Sequence, residues 1–109
     1  MLLGVIALRQ GDQPAAHEAF TAAVTQADDL LTHTAQNYSA LDTKGLALCG
    51  LTLCDKDDHI TASVEAYRAA RAINKDAGVV RRVLRLLDAL APADPAGVPA
   101  KVRAAAAGE

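Results

Sequence analysis

Along most of this chain the apolar residues recur at intervals of three and four, the spacing of helical faces. Residues 2–10 are apolar nearly all round, which predicts a helix buried on more than one side. Gly11-Asp12-Gln13-Pro14 then supplies a glycine for a left-handed helix end, an aspartate cap and a proline for the next opening turn. A second helix of about 18 residues follows from the period of Ala16, Ala19, Phe20, Ala23, Val24, Ala27, Leu30 and Leu31. The signal fades at Thr32-His33-Thr34, and Asn37 or Ser39 can cap a third helix reaching Cys54. Within it Leu46 with Leu48, and Leu51 with Leu53, alternate as a strand would. Length and the alanine and glycine content favour a buried helix. After a polar turn at 55–58, a fourth helix begins at His59 or Thr61. It carries Ala62, Ala66, Tyr67, Ala69, Ala70 and Ile73 inward, with Glu65, Arg68 and Arg71 on the wet side. A fifth sets Val79, Val80, Val83, Leu84, Leu87 and Leu90 against Arg81, Arg82, Arg85 and Asp88, and Ala91-Pro92 ends it. This divides the chain into a helical domain over 1–91 and a proline- and alanine-rich tail over 92–109. The tail is expected to be partly disordered, with at best a short, fraying helix at 101–107.

Two stretches echo each other. Leu3-Gly4-x2-Ala7 followed by Ala16-x3-Phe20-x2-Ala23 reappears as Cys49-Gly50-x2-Leu53 followed by Ser63-x3-Tyr67-x2-Ala70. Gly50 follows Gly4 by 46 residues and Tyr67 follows Phe20 by 47, so the second copy holds one extra residue. Small residues let a neighbouring helix approach closely, and an aromatic fills the gap. Each copy is therefore a stacking unit, with Phe20 and Tyr67 as equivalent plugs against the glycine-bearing helix of their own pair.

These residues resemble the tetratricopeptide repeat, a helix-turn-helix unit of about 34 residues. Leu3-Gly4 stands for its leucine-glycine pair, Gly11-Asp12 for its turn, Ala16 for its helix crossing, and Phe20 with Ala23 for its second-helix aromatic and small residue. The second copy departs at Cys49 and Ser63, where leucine and alanine are usual, and the offset exceeds the usual unit by about a dozen residues. The resemblance implies an all-α fold of antiparallel hairpins stacked as a short α-solenoid of about five helices, the fifth resembling a terminal cap. It further implies a protein-protein interaction scaffold whose first helices form an inner wall. That wall would hold Val5, Leu8, Ala47, Leu51 and Cys54, with Arg9 and Lys44 at its edges, and would accept a partner helix or peptide, or a second copy of the chain. Because arrays normally need three or more units, a longer repeat array or a homo-oligomer is expected. A regulatory or sensor segment of a larger ATPase or transcriptional regulator is the alternative, and an enzyme with a site not visible in the sequence is a third.

Composition narrows the partner class. The chain has 109 residues, enough for one core, and is 51% hydrophobic but only 3% aromatic, which favours tightly packed helices. A formal net charge of -2 offers no general attraction to phosphate backbones, so no nucleic acid is expected. No stretch approaches the roughly 20 apolar residues of a membrane span, and the apolar start lacks the basic leader and cleavage pattern of an export signal. A cytoplasmic protein with reduced thiols is expected, since Cys49 and Cys54 lie five apart on one helix. Cys49, Cys54 and His59 are residue types zinc accepts, but their spacing does not suit a zinc motif, so no metal or cofactor is expected. Neither a nucleophile elbow nor a phosphate loop is present, and no catalytic residue is proposed. Arg81, Arg82 and Arg85 form the densest basic cluster. They are either a solvated helix face or a patch for an anionic partner.

Overall fold

The computed structural model describes residues 2–54, 58–90 and 97–108. Described residues form six helices and no strand: α1 (Leu2–Arg9), α2 (Gln13–His33), α3 (Tyr38–Cys54), α4 (Ile60–Ile73), α5 (Ala77–Leu90) and α6 (Val98–Ala107). The fold class is therefore all-α, as the periodicity indicates, and the alternation around Leu46 to Leu53 is that of a helix buried on most sides.

Local chemistry sets the breaks. Gly11 takes a φ of 81°, the left-handed conformation glycine adopts without a Cβ penalty, and turns the chain out of α1. Asp12 then accepts a hydrogen bond from the Ala15 amide at 3.2 Å, with Pro14 in the first turn of α2. Asn37 does the same for α3 through the Ala40 amide at 3.1 Å. Asp76 does so for α5 through the amides of Gly78 and Val79.

Antiparallel pairs α1–α2 and α3–α4 pack side by side, with α3 against α2. Phe20 and Tyr67 are both buried, at 0% and 1% exposure. Their seats are not equivalent, however. Phe20 lies between two glycines: a Cβ on Gly4 would fall 2.9 Å from its ring, and one on Gly50 only 2.5 Å. Tyr67 rests on Gly45, where an added Cβ would fall 2.8 Å from the ring. Gly50 thus serves the aromatic of the preceding pair, not its own. Ser63, the small residue of the second copy, donates its hydroxyl to the Gly45 carbonyl at 2.6 Å, pinning α4 to α3 at the same crossing.

Gly50→Ala is accordingly expected to destabilise the fold despite alanine's advantage in a helix. The helix-propensity gain is about 1 kcal/mol, whereas forcing a methyl into a closed core costs about 1–3 kcal/mol. Phe20 has no room to retreat because Gly4 is on its other side. Urea unfolding with an unchanged m-value and a lowered midpoint is the expected result.

The C-terminal third corrects the sequence reading. Residues 98–107 are neither a disordered tail nor a fraying helix: Val102, Ala105 and Ala106 enter the common core, and α6 packs on α4, α5 and α3. Alanine-rich segments carry little hydrophobic signal per residue, yet their small side chains permit close helix approach. Gly97 in the left-handed region and Pro99 in the first turn start α6. Consequently α6 covers α4, the place assigned to the fifth helix. Helix α5 packs chiefly on α6, makes lighter contacts with α1 and α3, and hardly touches α4. The turn at 55–57, the Ala91-Pro92 stop and the segment 91–96 lie outside the described residues.

Candidate functional site

The first helices of the two pairs, α1 and α3, provide the wall on which the interaction reading rests. In the folded chain that wall is closed rather than open. Val5 and Leu8 of α1, with Ala47 and Leu51 of α3, are core residues, at most 7% exposed. Side chains this apolar are covered wherever the chain itself can cover them, and α5 lies against both helices with Val83, Leu87 and Leu90 buried. Cys54 is half-buried near the end of α3, and Cys49 is buried. Arg9 stays exposed at the end of α1. Lys44 is engaged by Asp28 of α2, with Nζ 2.7 Å from the carboxylate, so it belongs to the α2–α3 contact.

Between α5 and α3 the closure is incomplete. A cavity of about 190 Å³ remains, bounded on the α3 side by Ser39, Asp42, Thr43 and Leu46 and on the α5 side by Arg82, Val83 and Leu86. Tyr67 of α4 also lines it. Of the three arginines singled out in the sequence, Arg82 reaches this cavity. All three, Arg81, Arg82 and Arg85, are exposed on α5. The basic cluster is thus a solvated surface that borders the cavity through Arg82.

Beside the cavity lies a polar group that sequence reasoning misplaced. Arg71 does not sit on the wet side of α4; its side chain is 2% exposed and its guanidinium pairs with Asp42 of α3. Among the described residues, Oδ1 of Asp42 and Nε and Nη1 of Arg71 have no hydrogen-bond partner. Ser63, Ala66, Tyr67, Ala70 and Arg71 form one buried stripe at helical spacing. An arginine one turn after the packing tyrosine, on that stripe, was the signal for a buried carboxylate partner.

Burial pushes the Asp42 carboxyl above its usual range, and the attraction of Arg71, with a smaller pull from Arg82, only partly offsets this. Burial likewise pushes the Tyr67 phenol well up, helped by Cys49 and Asp42 and opposed by Arg71, so the ring carries a neutral hydroxyl. The Asp42 shift fixes the sign of a pH effect. Between 3.8, its ordinary value, and the raised value in the fold, the native state holds a proton that the unfolded chain has released. Its contribution to stability is therefore fully present below 3.8 and is lost as the pH rises through the folded value. Urea midpoints of wild type and Asp42→Asn, compared from about pH 3 to pH 7, are expected to diverge with that sign.

Among the described residues, no three His, Cys, Asp or Glu side chains converge as a metal site, and no helix is long and apolar enough to cross a membrane. The geometry amounts to a helix-covered wall, an underfilled cavity and a buried ion pair. Comparison of the chain with known protein families, with curated proteins and with solved structures found no match.

Proposed function

We propose that this chain is a cytoplasmic protein-interaction scaffold of tetratricopeptide-like hairpins, a short solenoid whose ligand is a helix or peptide of a protein partner. The observation that carries the reading is the packing of α5: an amphipathic helix that lies chiefly on α6 and reaches α1 and α3, with its apolar stripe buried. A surface that buries Val83, Leu87 and Leu90 at steps of four and three accepts the anchor pattern of a helix in a groove. No catalytic step is part of this proposal.

A photo-crosslinking residue at Thr43, on the cavity edge, tests it against the same residue at the exposed Thr25 of α2. Presented with a panel of amphipathic and extended peptides, the Thr43 protein is expected to capture helical peptides selectively. Equal capture at both positions, or none, removes the reading.

A second reading, a repeat segment within a larger multidomain protein or self-associating array, draws on a separate surface. Between α1 and α2 a groove is open, lined by Ile6 and four alanines together with Gln10, Asp12 and Glu18, and Ile6 is 42% exposed. A further hairpin or a second copy would cover it. Under this reading the chain self-associates at high concentration and Ile6→Glu abolishes the association. Sedimentation showing monomers of both proteins counts against it.

A further inference from the structure

The cavity between α3 and α5, about 190 Å³, is not the largest in the fold, but its lining is the most varied in chemistry. On the other flank of α3, toward α2, lies one of about 270 Å³ that shares Ser39 and Thr43 with it. That neighbour has no charged side chain in its lining, and the residues buried in it are alanines. Another, of about 260 Å³ between α4 and α6, sets Arg68, Arg71 and Lys75 beside only alanine and glycine. The α3–α5 cavity combines charge with large apolar side chains.

Burial orders its walls by depth. Leu46, Tyr67 and Val83 are at most 5% exposed and form the floor. Asp42, Thr43 and Leu86 are half-buried above them, and Ser39 and Arg82 are exposed at the rim. Water gains little over such a floor, because a buried water needs about two to four polar partners. An apolar group gains the dispersion contacts that the empty space forfeits. An apolar cavity of about 150 Å³ accepts benzene, so this one has room for a single ring or a short chain with its head at the mouth.

The charges select the head. Asp42 is the acid in the lining, but Arg71 already neutralises it, and its unpartnered Oδ1 is buried. Arg82 stands close enough to act on Asp42 and is in no ion pair among the described residues. The Asp42 and Arg71 charges cancel, which leaves the single positive charge of Arg82 at the mouth. An ammonium head would meet that cation with the nearby carboxylate already taken. A phosphate would bring up to about two negative charges to one guanidinium. A carboxylate matches the planar guanidinium fork in charge and in shape, and the Ser39 and Thr43 hydroxyls are further donors on the same side.

From this arrangement we infer that the α3–α5 cavity binds a small organic monocarboxylate, with its ring or short chain on Leu46, Tyr67 and Val83 and its head held by Arg82. The site goes beyond the interaction reading and does not depend on it. A protein partner is not required to fill it.

Benzoate is the probe, and benzylamine and benzyl alcohol are its cationic and neutral counterparts on the same ring. Each is titrated into the isotope-labelled full-length protein while backbone amide resonances are followed. Benzoate is expected to saturate, with its largest shifts at Leu46, Val83 and Leu86, and to bind about tenfold or more tighter than benzylamine. Arg82 is exposed, so Arg82→Gln keeps the fold, which the unperturbed spectrum checks. This variant is expected to weaken benzoate about tenfold or more and to leave benzyl alcohol unchanged. Arg81→Gln removes an equal charge from the same helix outside the cavity, and benzoate is expected to bind it as it binds wild type. Absence of saturation by benzoate, equal or tighter binding of benzylamine, shifts centred on other helices, or equal losses in the two arginine variants each overturns the inference. None of these outcomes bears on capture of a helical peptide, which is measured separately.

Discussion

Phe20→Ala is expected to bring this protein to the edge of unfolding, with a loss of about 3–5 kcal/mol. Domains of this size have a total stability of about 5–15 kcal/mol, so the loss removes a large fraction of it. The position is unusually unforgiving. Phe20 is fully buried and is held by the backbone of Gly4 in α1 and Gly50 in α3. Backbone cannot collapse into the space as a neighbouring side chain would, so the cavity stays open and its full penalty is felt. Because the vacated space lies directly over Gly50, adding Gly50→Ala to Phe20→Ala should recover part of the loss. Each change alone is destabilising, so the pair is expected to show a favourable coupling, which a double-mutant cycle of urea midpoints measures. Strict additivity would show that the ring and the glycine do not share a contact.

The second large effect concerns the ion pair between α3 and α4. Asp42→Ala strands the Arg71 guanidinium at 2% exposure with no counter-charge, and breaking such a pair costs about 3–5 kcal/mol. Arg71→Met should cost clearly less. Its orphan is a carboxyl that burial has already pushed upward, and a carboxyl can shed its charge by taking a proton, whereas arginine has no such escape. Replacing both, as Asp42→Leu with Arg71→Met, removes the desolvation cost along with the attraction, and buried pairs exchanged this way are often neutral or gain about 1–4 kcal/mol. The expected order of stability is therefore the double variant at or above wild type, then Arg71→Met, then Asp42→Ala. Thermal unfolding of the four proteins at neutral pH establishes the order; equal losses for the two single changes would count against the asymmetry.

These residues also show what the sequence could and could not convey. Helix boundaries were legible because caps and breakers act locally: Gly11, Asp12 and Asn37 each do their work within three residues. Burial of Phe20 and Tyr67 was legible from the repeated spacing. The glycine each ring occupies was not, since that depends on how far α3 slides along α2, and sequence period is blind to such sliding. Arg71 was misassigned because a charge on an amphipathic helix is read outward by default, and only the distant Asp42 reverses the reading. Helix α6 was underestimated because four consecutive alanines look alike on every face; α4 supplies the side that makes Ala105 and Ala106 interior. The wall residues Val5, Leu8, Ala47 and Leu51 were correctly grouped as apolar, but whether an apolar wall is a docking surface or a core depends on what folds over it.

The double seat of Phe20 also bears on how the chain can acquire its shape during synthesis. Its two glycines flank it in sequence, Gly4 before and Gly50 after, so the α1–α2 hairpin leaves one side of the ring wet however well its own turn is made. With translation proceeding at about 5–20 residues per second, the ribosome releases a half-covered aromatic roughly 1.5–6 seconds before Gly50 arrives to shut it in. The smallest nascent piece able to complete that cluster is three helices long, and a chaperone's opportunity closes when Gly50 clears the exit tunnel.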